Sequence, residues 1–387
     1  MRSLFLRLLY LVLRSSRPRR PAKSSNPTIL LLQYQTPLGC CVHCTPIFTA
    51  IKRAFPQATL IVAARGLALE TFRHDPNIDH LIRTPAPSGL KALLGVARLL
   101  RRDLLARRLH PDFVLQDASN RAGSFALLAA SLRLAPTVGF ANAPELYDLH
   151  LGYDPNLSLI DNNLRLVDAL RGSLKESAGA PSAHVEPSVY FSASEMSKAE
   201  ALLRQANPSD RTVVAIVVQG SGGQRTTWHE ERFAQVIQHI EESGHATIFL
   251  GTAADAGTIE RTMTRASSRG LSLAGQTSVP ELAAVLTQCD LMVTVDTGTM
   301  HVGRAAGLPM VVLGPSWQRP IEWLPLTLPN VRVLRGSDRN DVPHDYQLDE
   351  IQTPAVLAAI DELQALFPPS NEAREHRAAR LLSSTRT

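Results

Sequence analysis

Aromatic residues are scarce. They make up 5% of the 387 residues, and no basic–aromatic run offers successive bases a stacking platform, so nucleic acid is set aside as a partner. Long apolar runs are also missing. The run at residues 4–13 is broken by Arg7 and is about half the ~20 residues a spanning helix needs. Cysteine is rare. Cys40, Cys41 and Cys44 crowd one turn with His43, Cys289 stands far away, and no second cluster completes a structural zinc site. Lysine is nearly absent, since 35 of the 40 basic residues are arginine. Neither a P-loop spacing nor a GxGxxG fingerprint is present.

What remains is ordinary for a globular chain: 44% hydrophobic and 19% charged, long enough for two domains with full cores. A net charge of +5 and a pI near 9.2 favour anionic partners such as nucleotides, phosphorylated glycolipids or the inner membrane face. The leader, residues 1–26, joins its apolar run to a basic cluster at residues 14–23 and shows no small-residue cleavage site. An amphipathic helix lying on an anionic membrane fits this pattern, with a signal-anchor and a floppy leader as the alternatives. Residues 368–387, polar and Arg-rich after Pro368-Pro369, read as a disordered tail or a solvated helix.

From residue 27 the sequence takes up an α/β rhythm. TILLLQY reads as a buried strand, PLGCCVHCTP as a turn, and residues 46–53 as the helix it enters. Short apolar runs then alternate with helical stretches, including a long Leu/Arg helix near residues 90–109, which predicts a parallel sheet covered on both faces. Cys41-Val42-His43-Cys44 is a CxxC between strand and helix. Redox chemistry and metal binding are the functional readings, and small residues packing a tight turn is the commoner case. Residues 172–187, rich in Ser, Ala, Gly and Pro, read as a linker.

A second α/β region follows. TVVAIVVQ ends in Gly220-Ser221-Gly222-Gly223, and then Arg225, Thr226 and Thr227 can donate to phosphate oxygens. Asp255 follows the next strand. Residues 291–314, LMVTVDTGTMHVGRAAGLPMVVLG, form a strand–turn–helix–strand unit. Asp296 or Thr297 caps a helix expected at residues 299–306, Gly298 lets the backbone turn, and His301 sits one turn in. A helix N-terminus after a parallel strand suits phosphate. Both loops fall at the carboxyl rim of one sheet, where together with Asp255 they could hold a nucleoside diphosphate.

These residues resemble glycosyltransferase family 9, the ADP-heptose:lipopolysaccharide heptosyltransferases, over residues 28–325. The most specific stretch is VTVDTGTMHVGRAAGLPMVVLGPS. Supporting it are the first strand and turn, PNIDHLI, Asp117, Gly139, DNNLRL and the Gly-Ser loop before Trp228. The resemblance implies a GT-B architecture: two Rossmann-like domains with parallel sheets facing across a cleft. Residues 27–187 would take the acceptor and 188–350 the sugar nucleotide, with residues 351–367 a helix that could cross back. It further implies an inverting, metal-independent transferase without a cofactor. Ser221, Gly222, Arg225, Thr226, Thr227, Asp255, Asp296, Thr297, Gly298 and His301 would bind the donor. Two departures stand out. Cys40 occupies the position of the family's catalytic Asp, which leaves His43 and Asp117 as candidate bases, and Thr226 stands where the family has Lys. The implied function is transfer of a sugar, heptose from ADP-heptose, to a lipopolysaccharide-core or related glycolipid. The place would be the cytoplasmic face of the inner membrane, held through the basic N-terminus. A non-catalytic sugar-nucleotide-binding homologue, a GT-B epimerase and a CxxC oxidoreductase are the alternatives.

Overall fold

The computed structural model describes residues 26–35, 37–140, 147–174, 182–207, 209, 211–220 and 225–383, with Leu4, Leu8, Leu11 and Val12 of the leader. The chain divides into two compact units, residues 1–187 and 188–387.

The first unit is built on six parallel strands: β1 Thr28–Gln33, β2 Thr59–Ala64, β3 His80–Arg83, β4 Phe113–Gln116, β5 Thr137–Phe140 and β6 Leu149–Leu151. Their order is β3-β2-β1-β4-β5-β6. The central strand β1 is buried at nearly every position because helices cover both sheet faces, so TILLLQ reads as a continuous apolar run. Its register places Ile29 beside Leu60 on one side and Phe113 on the other. The helices are α1 Leu38–Ala54, α2 Leu67–Thr71, α3 Leu90–Ala106, α4 Gly123–Ser131 and α5 Leu159–Ser173. Leu93, Val96, Ala97, Leu100 and Leu104 form the buried stripe of α3 and pack in one cluster with Leu30, Leu32, Ile61 and Val114.

Helix α1 departs from expectation. The segment read as a turn is already helical, and Pro46 lies inside it. Pro46 has no N–H to give the carbonyl of Val42, four residues back. The hydroxyl of Thr45 donates to that carbonyl at 2.9 Å instead, so the helix runs through the proline with its acceptor satisfied. All four cysteines are free and buried, and burial pushes the thiols of Cys41, Cys44 and Cys289 well up from their ordinary value. Thiols held protonated are inert, which fits packing rather than the oxidoreductase alternative. No cluster of three or more metal-ligating side chains occurs among the described residues.

The second unit repeats the plan with β7 Val213–Val217, β8 Ala246–Phe249, β9 Leu271–Ser272, β10 Leu291–Val295, β11 Met310–Leu313 and β12 Val331–Leu334, in the order β12-β11-β10-β7-β8-β9. Its helices are α6 Ala193–Ala206, α7 Glu230–Glu242, α8 Ala256–Ala266, α9 Val279–Thr287, α10 Gly298–Ala306, α11 Pro320–Trp323, α12 Thr353–Leu366 and α13 Asn371–Leu381. Buried Trp228 packs edge-on against Phe233 at 4.9 Å, and its indole N–H donates to the carbonyl of Ile351 at 3.0 Å. Val356, Ala359, Ile360 and Leu363 of α12 join this unit's core.

The segment read as a disordered tail or a solvated helix contains α13, largely exposed but anchored. Ser370 caps it by accepting from the N–H of Ala373 at 3.1 Å. Three arginines at helical spacing then fasten it. Arg374 pairs with Asp290 at 2.6 Å, Arg377 donates to the carbonyls of Thr287 and Cys289, and Arg380 donates to that of Ala305 at 2.6 Å. These carbonyls end α9 and α10, where a helix lacks internal donors and its dipole favours cations. The charge that suggested solvation is thus used in docking. Most of the leader lies outside the described residues. Leu4, Leu8, Leu11 and Val12 are helical and exposed, and no described helix is long and apolar enough to cross a membrane.

Asp290 is almost wholly buried, and Arg374 is its ion-pair partner. Arg374→Ala is therefore expected to lower stability by about 3 kcal/mol, because a lone buried charge costs far more than a surface pair contributes. Urea unfolding measures this, and a loss near zero would mean α13 is not held by that pair.

Candidate functional site

Each sheet has one switch point, where strand order reverses and the loops part to leave room at the carboxyl edge. In the second unit it lies between β7 and β10. Asp296 follows β10 directly, and Thr297 is the N-cap of α10 in an extended conformation (φ −158°). Its side chain makes no capping bond, so the first N–H groups of α10 are left without a side-chain acceptor. The helix starts at Gly298 and stops at Gly307, whose φ of +75° is the left-handed turn that favours glycine. Gly303 lets α10 lie close on the sheet, since a Cβ there would stand 2.7 Å from the sulfur of Met292.

The loop after β7 meets that turn. Thr226 donates its hydroxyl to the carbonyl of Asp296 at 3.2 Å, and a Cβ on Gly220 would strike Thr226 and come within 3.2 Å of the same carbonyl. The two loops expected at one rim are therefore in contact, and Thr226 ties one to the other. Thr227, beside it, is exposed. Arg225 has a positive φ of 47°, and its guanidinium turns to Asp341 at 3.0 Å and to the carbonyl of Val342. Ser221 and Gly222 lie outside the described residues. Asp255, at the carboxyl end of β8, closes a local capping box, with its carboxylate accepting from the N–H and hydroxyl of Thr252 at 2.7 and 2.8 Å.

The electrostatics of the turn are unusual. Asp296 is buried, and among the described residues no group donates a hydrogen bond to its Oδ1. Burial alone pushes its carboxyl up to about 6. His301 is also buried, and burial, helped by the charge of Arg304, lowers it to about 3. Its Nε2 stands 3.9 Å from Asp296 Oδ1, too far for a hydrogen bond, and a neutral imidazole makes no ion pair there. The His301 ring lies 6.1 Å from that of Trp323, on α11. A helix N-terminus without a side-chain cap, a neutral imidazole and a buried carboxylate oxygen to which no described residue donates together suit a ligand carrying both phosphate and hydroxyl groups.

In the first unit the switch point lies between β1 and β4. Gln33 ends β1 and Asp117 follows β4. Asp117 accepts from Gln33 Nε2 at 2.9 Å, from the hydroxyl of Ser119 at 2.8 and 2.9 Å, and from Asn120. Burial raises its carboxyl to about 6 against the pull of these bonds. His43 lies wholly buried within α1. Asn163 on α5 joins the two segments, with Oδ1 accepting from the N–H of Ala118 at 2.7 Å and Nδ2 donating to the carbonyl of His43 at 2.9 Å. Gly139 on β5 is required by crowding, since a Cβ there would lie 2.9 Å from the Tyr147 ring.

Gln33, Ser119, Asn120, Asn163 and Trp323 were not singled out as site residues from sequence. A signal existed for Gln33, because a polar residue closing an apolar strand at the carboxyl rim is the pattern that marked Asp117. Trp323 gave none.

Two doubly wound parallel sheets, each with polar residues gathered at its switch point, define the GT-B class of glycosyltransferase fold. Residues 126–343 match the family described as glycosyltransferase family 9 (heptosyltransferase), and the chain belongs to that family. It is similar to lipopolysaccharide heptosyltransferase 2 of Escherichia coli (strain K12), 23% identical over 292 residues that cover 70% of this chain and 78% of that protein. Among solved structures, the family 9 glycosyl transferase of Veillonella parvula superposes with a TM-score of 0.76 at 18% identity, over 90% of this chain and all of that one. An E. coli heptosyltransferase solved with ADP-2-deoxy-2-fluoro heptose superposes at 0.64 and 17% identity, over 87% and 99%.

The raised carboxyl of Asp296 gives a stability prediction. A group raised from 3.8 to about 6 favours folding fully below pH 3.8, and that contribution is lost as pH rises through about 6. Asp296→Asn is thus expected to stabilise the chain above pH 6 by on the order of 2 kcal/mol and to be neutral below pH 4. Thermal unfolding across that range checks it; a destabilised Asn variant at pH 8 would mean the carboxylate has a partner.

Proposed function

We propose that this chain is an inverting transferase that moves a sugar from a nucleoside diphosphate to a glycolipid hydroxyl, with ADP-heptose as donor and a lipopolysaccharide-core glycolipid as acceptor. The observation that carries the reading is the start of α10, where backbone donors lack a side-chain cap and no described residue donates to Asp296 Oδ1. Diphosphate would lie on those N–H groups, with sugar hydroxyls on Asp296 and neutral His301. The solved E. coli relative, with its ADP-heptose analogue, supports the choice of donor.

In the reaction the acceptor oxygen forms a bond to the anomeric carbon as the bond to the diphosphate oxygen breaks. The electron pair leaves with the diphosphate, where helix N–H groups stabilise the developing charge. The acceptor's proton needs a base. Asp117, raised to about 6, is ionised at pH 7.5 and still basic enough to take it. Cys40 fills the family's Asp position, and the hydrogen bonds of Gln33, Ser119 and Asn120 orient the substitute. His43, wholly buried in α1, is the alternative base. No metal enters this scheme. The exposed stripe of Leu4, Leu8, Leu11 and Val12, followed by the basic residues 14–23, would rest on the anionic cytoplasmic face of the membrane that carries the acceptor.

His301→Ala is expected to weaken ADP binding and slow transfer together, read by calorimetry and by release of ADP. Unchanged values for both would remove His301 from the site. A second test concerns the base. The rate of transfer should climb as pH rises through about 6, and Asp117→Asn should cut it by roughly 100-fold or more and flatten that limb. If the Asn variant keeps the limb, Asp117 is not the base. Isomerised donor without transferred sugar would point to an epimerase, and ADP binding without either product to a non-catalytic homologue.

A further inference from the structure

Helix α3 has an outer face that the transfer chemistry does not use. Lys91, Arg98, Arg101, Arg102 and Leu105 are exposed on it, Leu105 at 69%, and exposed Leu90 and Leu99 flank it on either side. Arg98, Arg101, Arg102 and Leu105 stand three and four residues apart, so they share one side of the helix, opposite the buried stripe. Residues 83–108 hold seven basic residues and one acid, Asp103, which pairs with Arg107 at 2.9 Å. That is a net charge of six on one segment, against five for the whole chain. Like charges at this spacing repel along the helix, with no acid on this side to relieve them.

We propose that this outer face of α3 is a docking surface for an anionic lipid bilayer, distinct from the leader. The charge pattern calls for an anionic partner, which excludes a second copy of the same face. The leucines decide which anionic partner it is. They would waste contact on a nucleic-acid backbone, and the helix carries no aromatic ring for bases. In a bilayer the leucines enter the acyl boundary while arginine stems lie along them and the guanidinium groups meet lipid phosphates. Since α3 follows β3, its first turn, with Leu90 and Lys91, lies at the carboxyl edge of the first sheet, the edge that also carries Asp117. Two contacts, leader and α3, would hold the chain more firmly than either alone, because single weak anchors give only marginal binding.

The test uses the full-length chain with vesicles of phosphatidylcholine, alone or mixed with phosphatidylglycerol. Substituting Arg98→Gln, Arg101→Gln and Arg102→Gln together should weaken partitioning to the anionic vesicles on the order of 100-fold. ADP binding and the melting temperature should not change, which separates this surface from the donor reading. A second measurement places an environment-sensitive fluorophore through Leu105→Cys, feasible because the native thiols are buried. Its emission should brighten and shift to the blue with anionic vesicles only. Unchanged partitioning of the folded triple variant, or unchanged emission at position 105, overturns the proposal. Emission that answers a single-stranded RNA oligomer as it answers vesicles overturns it in favour of a nucleic-acid surface.

Discussion

A carboxylate oxygen buried without a hydrogen bond is costly, and the second unit is arranged around one. Among the described residues Asp296 Oδ1 gains no hydrogen bond: His301 is too distant to donate, and Thr226 spends its hydroxyl on the backbone carbonyl of the same residue. The sheet holds the arrangement in place. Val295 ends a strand paired on both sides, and α10 presses close enough on it that Gly303 can bear no side chain without displacing Met292. Strand pairing and helix packing thus fix the backbone that carries Asp296. Strain of this kind survives where the surroundings over-determine it, which is the usual condition of a ligand site.

Much of this was legible in the residues. Buried parallel strands announce themselves as apolar runs, and a glycine after an amphipathic stretch announces a helix end, so the α10 unit read almost to the residue. Two features misled. Pro46 suggested that α1 begins there, because a sequence cannot show that Thr45 will serve the carbonyl Pro46 leaves open. The Arg-rich tail suggested solvation, because the orphan carbonyls that those arginines meet come from α9 and α10, some 70 to 90 residues away. The network around Asp117 was hidden for the same reason. Gln33 reaches it across 84 positions, and Asn163 joins segments 120 and 45 positions distant. Local periodicity carries no information about such pairings.

The two units can be compared strand for strand. Reversed, the second order is β9-β8-β7-β10-β11-β12, the same winding as the first, with β10 in the place of β4. Asp117 follows β4 directly and Asp296 follows β10 directly, so the two acids hold equivalent positions. Burial raises both to about 6, yet their surroundings differ in kind. Asp117 accepts from three side chains, and Asp296 has an oxygen to which no described residue donates. A carboxylate held by several donors is fixed in orientation and can exchange a proton without moving. One with a vacant oxygen is completed only by an incoming donor. On the proposed function the first suits a base and the second a sugar hydroxyl, so one winding supplies both roles through differences in the residues that line the turn.

On the resemblance, Cys40 stands where the family has an acid, and the proposed function accommodates that. A thiol packed at the start of α1 brings no charge into a region where Asp117 is already buried. Two carboxylates in contact hold one of the pair protonated near neutral pH, a coupling that a thiol does not bring. Keeping Asp117 as the acid at this switch point leaves it free to ionise just above its own value. On the proposed function a single acid then serves at this switch point, oriented by the polar side chains from β1 and from the turn after β4.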